Sequence, residues 1–201
     1  MRLAAKIISI LFNPLFMPTL GLFLLFNTDT YINYAVHFKL KQFTVLLVAL
    51  VTFIIPLLSI LFLRNRGIIT SMQMYASKER IIPYIITIIS YIFTLYLLKQ
   101  TPVIPIIFNF IIGATYAIIL TFIINIKWKI SAHAVGVGGL LGAFLCVAIK
   151  LQADVSIFIV ALLVVFGLVA TARLILNAHT QAQIYAGFLL GIATQFAVFY
   201  F

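Results

Sequence analysis

Seven apolar runs, each close to the length needed to cross a lipid bilayer, follow one another with only short polar connections between them. They fall at 7–27, 42–63, 81–98, 103–124, 133–150, 155–176 and 183–201. A helix rises about 1.5 Å per residue and the hydrocarbon core is about 30 Å thick, so one crossing takes roughly 20 mainly apolar residues. The expectation is an all-α, polytopic transmembrane helix bundle of six or seven spans, with residues 1–201 forming a single membrane domain. The count turns on the first run. Asn13-Pro14 and Pro18 remove backbone hydrogen bonds there and predict a kinked or only partly inserted segment. Met1–Lys6 leads straight into that run without a small-residue cleavage site, so the run is read as retained.

Composition then limits the class of function. With 65% hydrophobic and 8% charged residues, the chain cannot clothe a water-soluble globule, and its location is expected to be a bacterial inner membrane. Thirteen Lys and Arg against three acids (Asp29, Glu79, Asp154) give a net charge of +10, which suits anionic headgroups or a phosphorylated ligand. Nucleic acid is excluded as a partner because the basic residues sit in short connections rather than on a folded soluble module. The lone Cys146 cannot form an internal disulfide and reads as core filler. Three acids and three histidines (His37, His133, His179) have no ligand spacing for zinc or di-iron, so no metal or other cofactor is expected. Gly138 with Gly142, and Gly187 with Gly191, recur at fourfold spacing and predict close backbone packing of spans five and seven.

Ionisable groups at membrane depth are costly and mark function more often than accident. Three polar clusters break the apolar pattern: Ser77-Lys78-Glu79-Arg80 before span three, Lys127 to His133 before span five, and Arg173 with His179 and Gln183 between spans six and seven. Counting crossings after residue 80 puts all three on one face of the membrane. Arg80 and Arg173 offer planar forks of donors for phosphate oxygens, and Ser131 at a helix start adds a hydroxyl beside free backbone N–H groups. His133 and His179 supply what two-step phosphoryl transfer needs, one imidazole to attack phosphorus and one to protonate the leaving oxygen.

These residues, in this order, resemble the type 2 phosphatidic acid phosphatase superfamily over about 73–191, the expected phosphatase-like core. The family's third motif (Ser-Arg, five residues, His, three residues, Asp) is similar to Ala172-Arg173, His179 and Gln183. Its second, Pro-Ser-Gly-His, is similar to Ile130-Ser131-Ala132-His133. Its first, a Lys seven positions before Arg-Pro, is similar to Gln73, Arg80 and the late Pro83. The resemblance implies a membrane lipid-phosphate phosphatase or phosphotransferase acting through a phosphohistidine without metal. His179 would be the nucleophile, His133 the general acid, and Arg80, Ser131 and Arg173 the phosphate ligands, with Lys78 standing in for the missing first-motif lysine. Implied partners are membrane lipids and a lipid phosphate or prenyl diphosphate substrate. A homo-oligomer or membrane-complex subunit is left open.

The main departure is Gln183, where the family has the acid that orients the nucleophile. A glutamine oxygen can accept the Nδ1 proton but brings no negative charge, and the comparable Asp-to-Asn change in serine proteases costs about 10⁴ in rate. The alternative function is therefore a non-catalytic, phosphatase-like subunit or lipid-phosphate binder. Simpler roles also stand open. Thr180 and Gln183 have capping-box spacing, Ser131 can serve as an N-cap alone, Arg80, Arg173 and Lys78 can reach to headgroups, and His37 reads as interfacial. By parity, nine Lys and Arg share the site face against four opposite, or six against four without Lys78, Arg80 and Arg173, so the site's membrane face is left open.

Overall fold

A computed structural model of the chain describes residues 1–70 and 77–200, and of Ser77 and Lys78 the backbone alone. The described residues are mostly helical, with no strand among them, and supply seven segments long and apolar enough to span a membrane. The protein is a polytopic helical membrane protein.

The first crossing is broken, as its prolines dictate. Helix α1 (Arg2–Leu11) stops, a single 3₁₀ turn (Pro14–Phe16) intervenes, and α2 (Met17–Phe26) resumes the climb. Asn13 leaves the helix with an extended backbone, and its side chain caps the turn by accepting the Leu15 N–H at 3.0 Å. The second crossing follows a short α3 (Tyr31–Ala35) and runs through α4 (Phe38–Val48), a π-helical turn at Ala49–Ile54, and α5 (Ile55–Asn65). Pro56 lacks the N–H that Thr52 would otherwise receive, and a widened turn is the usual way a helix absorbs such a gap. His37 caps α4, its Nδ1 accepting the Lys39 N–H at 3.3 Å, and is exposed, away from the other two histidines.

The remaining crossings are α6 (Ile81–Lys99), α7 (Pro105–Lys127), α8 (Ala132–Leu151), α9 (Ser156–Ile175) and α10 (Gln181–Tyr200). Pro83 lies in the first turn of α6 and Pro105 opens α7, positions whose N–H groups have no intrahelical partner anyway. Helix α8 is central, with two thirds of its span buried, whereas α9 is peripheral.

Both glycine pairs are used, and they face each other. A Cβ on Gly138 would fall on the Phe188 carbonyl, one on Gly142 would meet the Ile192 Cα at 2.9 Å, and one on Gly187 would meet the Ser131 carbonyl at 2.7 Å. Gly191 lies against the backbone of Val135, Gly138 and Gly139. Helices α8 and α10 thus touch backbone to backbone along their length, which lipid cannot drive by hydrophobicity but close van der Waals packing can. One consequence lies at the helix starts, where the Ser131 N–H donates to the Gln183 carbonyl at 3.2 Å. Cys146 is fully buried on α8, in keeping with a filler role.

Candidate functional site

The α8–α10 contact brings the Ser131–His133 segment beside the His179–Gln183 segment, and the other polar clusters close around them. Arg80 enters from the turn before α6, Arg173 from the last turn of α9, and Lys129 from the α7–α8 connection. Their proximity shows in their mutual electrostatics. The charges of Arg173, Arg80 and Lys129 all act on His179, those of Arg173 and Arg80 act on His133, and Lys129 feels both arginines.

Neither arginine reaches out to headgroups. Arg80 is 7% exposed and Arg173 5%, so both guanidinium groups turn into the bundle. Burial pulls the Arg80 pKa below its ordinary value, a tendency opposed by the hydrogen bond it donates to the Tyr84 hydroxyl one helical turn on. Lys129, partly buried, is pulled down by desolvation and then by Arg80 and Arg173. His179 is pushed down to about 3, first by burial, then by Arg173 and Arg80, against the raising effect of its bond to the Lys129 carbonyl. Every side-chain charge displacing Lys129 and His179 is positive, the field that an anion would neutralise.

Hydrogen bonds decide which nitrogen of His179 is available. Its Nδ1 lies 3.2 Å from the Lys129 carbonyl and 3.2 Å from Gln183 Oε1. The Gln183 oxygen is identified by its other partner, the Thr180 N–H, which donates to it at 3.1 Å. Both groups facing Nδ1 are acceptors, so Nδ1 carries the proton and Nε2 keeps its lone pair. The Thr180 hydroxyl in turn accepts the Gln183 N–H at 3.4 Å, completing a reciprocal capping box at the start of α10. Orienting His179 and capping the helix, alternatives in the sequence, are thus performed by the same glutamine oxygen.

Ser131 is fully buried and caps α8, its Oγ accepting the Ala134 N–H at 3.5 Å, which leaves its hydroxyl hydrogen able to donate. His133, partly buried in the first turn of α8, places Nε2 3.0 Å from the Ser9 carbonyl. Arg173 Nη1 donates to Ser9 Oγ at 3.3 Å. Of the predicted site residues, Arg80, Ser131, His133, Arg173, His179 and Gln183 therefore come together. Gln73 and the Lys78 side chain lie outside the described residues. Three contributors were not predicted: Ser9, the Lys129 carbonyl, and Tyr84. Tyr84 was legible as the i+4 neighbour of Arg80, and Ser9 only through the helix break downstream of it.

A narrow cavity of about 50 Å³ lies beside the site at Ala132 and Val135 and runs inward past Met17, Ala117 and Gly136 to Phe110 and Gln195. Its walls are mostly apolar. Gln195 at its inner end is fully buried, its Nε2 donating to the Phe110 carbonyl at 3.2 Å.

Comparison with protein-family models, with curated proteins and with solved structures returns no match for this chain.

Proposed function

We propose that the protein is a lipid-phosphate phosphatase or phosphotransferase that works through a phosphohistidine, in the manner of the type 2 phosphatidic acid phosphatases its motifs resemble. The observation that carries this reading is His179: an imidazole with Nδ1 tied to two acceptors and Nε2 bearing a lone pair, in the positive field of Arg173, Arg80 and Lys129. An imidazole held neutral is a nucleophile at neutral pH, and buried guanidinium groups suit phosphate oxygens better than any neutral ligand.

In the first step His179 Nε2 attacks phosphorus, the bond from phosphorus to the lipid oxygen breaks, and the leaving oxygen takes a proton from His133. In the second, water attacks the phosphohistidine, its proton passes to His133, and inorganic phosphate leaves. A lipid alcohol replacing water would make the reaction a phosphotransfer. Arg80, Arg173 and the Ser131 hydroxyl hold the phosphoryl oxygens, and the Lys78 side chain is a further candidate. The mostly apolar lining that begins at Ala132 supports a substrate with a hydrocarbon chain, its headgroup among the cations. A helical bundle also fits a bacterial inner membrane better than an outer one, whose spanning proteins are barrels.

The test is phosphate release from phosphatidic acid, phosphatidylglycerophosphate and undecaprenyl diphosphate by the purified protein and by His179→Ala. Activity in the parent and its loss in the variant is expected, and equal rates in both would remove the nucleophile. A second reading, a non-catalytic lipid-phosphate binder, is favoured by one observation. Gln183 supplies reach but no charge, and its oxygen also serves the helix cap. Tight binding of these lipids without turnover would select it.

A further inference from the structure

Helix α1 lies before the stretch of chain that resembles the phosphatases, yet two of the site's contacts end on one of its residues. Ser9 receives Nε2–H of His133 on its carbonyl and Nη1–H of Arg173 on its hydroxyl. The carbonyl is available for a structural reason. In an uninterrupted helix Ser9 O would accept the N–H of residue 13, but α1 closes its last turn with Phe12 N–H on Ile8 O at 3.0 Å, and Phe12 itself has left the helix with ψ 46°, which turns the Asn13 N–H away. Ser9 O is thus one of the terminal carbonyls that a helix end leaves for an outside donor. Pro14, next in line, has no N–H to offer.

A carbonyl only accepts, so His133 must carry its proton on Nε2 and leave the Nδ1 lone pair open. This is the mirror of His179, whose proton is held on Nδ1 by the Lys129 carbonyl and Gln183. The two imidazoles of one site are locked in opposite tautomers, each by a backbone carbonyl. Ser9 stands one turn after the buried Ala5 on the face of α1 packed against α9, so one helix face sets the position of both side chains.

We propose that the broken N-terminal helix is a working part of the anion site: Ser9, freed by the Asn13-Pro14 break, is a positioning residue whose carbonyl presents His133 through Nδ1 and whose hydroxyl holds Arg173. The catalytic part of this statement rests on the phosphotransfer reading; the tautomer part does not. Within that reading a substrate phosphate arriving with one proton gives it to the open Nδ1 of His133, which passes it to the leaving oxygen and then takes one from the attacking water, returning it to the departing phosphate, while Nε2–H stays on Ser9 throughout.

The experiment uses the full chain labelled with ¹⁵N-histidine in lipid nanodiscs, with His133 and His179 signals identified by His133→Ala and His179→Ala. The expected spectrum has His133 protonated on Nε2 and His179 on Nδ1. The double variant Asn13→Ala/Pro14→Ala lets α1 run on and puts a backbone N–H in competition for Ser9 O. It should lose the single His133 tautomer and drop kcat by about tenfold or more with KM little changed, the scale set by removal of an orienting partner. Ser9→Ala, which alters no backbone, should raise KM severalfold through Arg173, and Ser9→Thr should restore it. A wild-type His133 unprotonated on Nε2, or a double variant keeping both tautomer and kcat, overturns the proposal. The expected tautomers with no turnover of any lipid phosphate would leave the positioning standing and remove the phosphatase reading.

Discussion

Replacing Gln183 with Glu tests the weakest point of the site by adding the charge without changing reach. Glutamate has the same length, so one carboxylate oxygen can keep both the Thr180 N–H at 3.1 Å and the His179 Nδ1–H at 3.2 Å. Aspartate, one methylene shorter, cannot span the same gap without moving the helix start. An opposite charge at this distance raises a histidine pKa by about 1–3 units, each unit being about 1.4 kcal/mol. His179 begins at about 3. The variant should therefore titrate between roughly pH 4 and 6, still mostly neutral at pH 7 and still nucleophilic. The phosphohistidine formed on Nε2 carries positive charge, which the carboxylate stabilises and the amide does not, so turnover should rise by about 10- to 1000-fold. Because the neutral imidazole is the reactive form, activity falls as pH drops through the His179 pKa. The acid limb of kcat/KM, out of reach in the wild type, should move into the measurable range. Phosphate release from phosphatidic acid between pH 4 and 8, with ¹⁵N shifts of His179 alongside, measures both effects. An unchanged rate together with an unchanged His179 titration would refute the geometry from which the numbers come.

Two further outcomes follow from the packing and the site. Gly138→Ala should destabilise the bundle by about 1–3 kcal/mol, since its Cβ falls on the Phe188 carbonyl, which cannot move aside as a side chain can. Gly139→Ala, whose Cβ would meet only the Gly191 carbonyl at 4.0 Å, should be nearly silent, and thermal unfolding of the two in detergent compares them. Arg173→Lys keeps the charge but loses the planar fork buried beside His179, so KM for lipid phosphates should rise about tenfold or more, read by steady-state kinetics in mixed micelles.

Much of the architecture was written along the chain because the bilayer demands it locally. A run of about 20 apolar residues is a crossing whatever its neighbours do, and Asn13-Pro14 must break a helix wherever that helix lies. The glycine pairs announced a close helix contact for the same reason: a missing side chain is visible in one dimension. Parity alone put Arg80, His133 and His179 on a common face. Which helices met was another matter. That Gly138 and Gly142 find Phe188 and Ile192 is set by mutual fit, and from it comes the contact between Ser131 and Gln183 that joins the halves of the site. Tautomers were likewise beyond the sequence, because they depend on carbonyls contributed by residues distant along the chain, Lys129 for His179 and Ser9 for His133. Backbone carbonyls are alike in every residue, so no pattern of letters marks the ones left unpaired at the right place. Local chemistry determined where this chain crosses the membrane and which side chains are costly there; only the packed bundle decided which nitrogen each histidine presents.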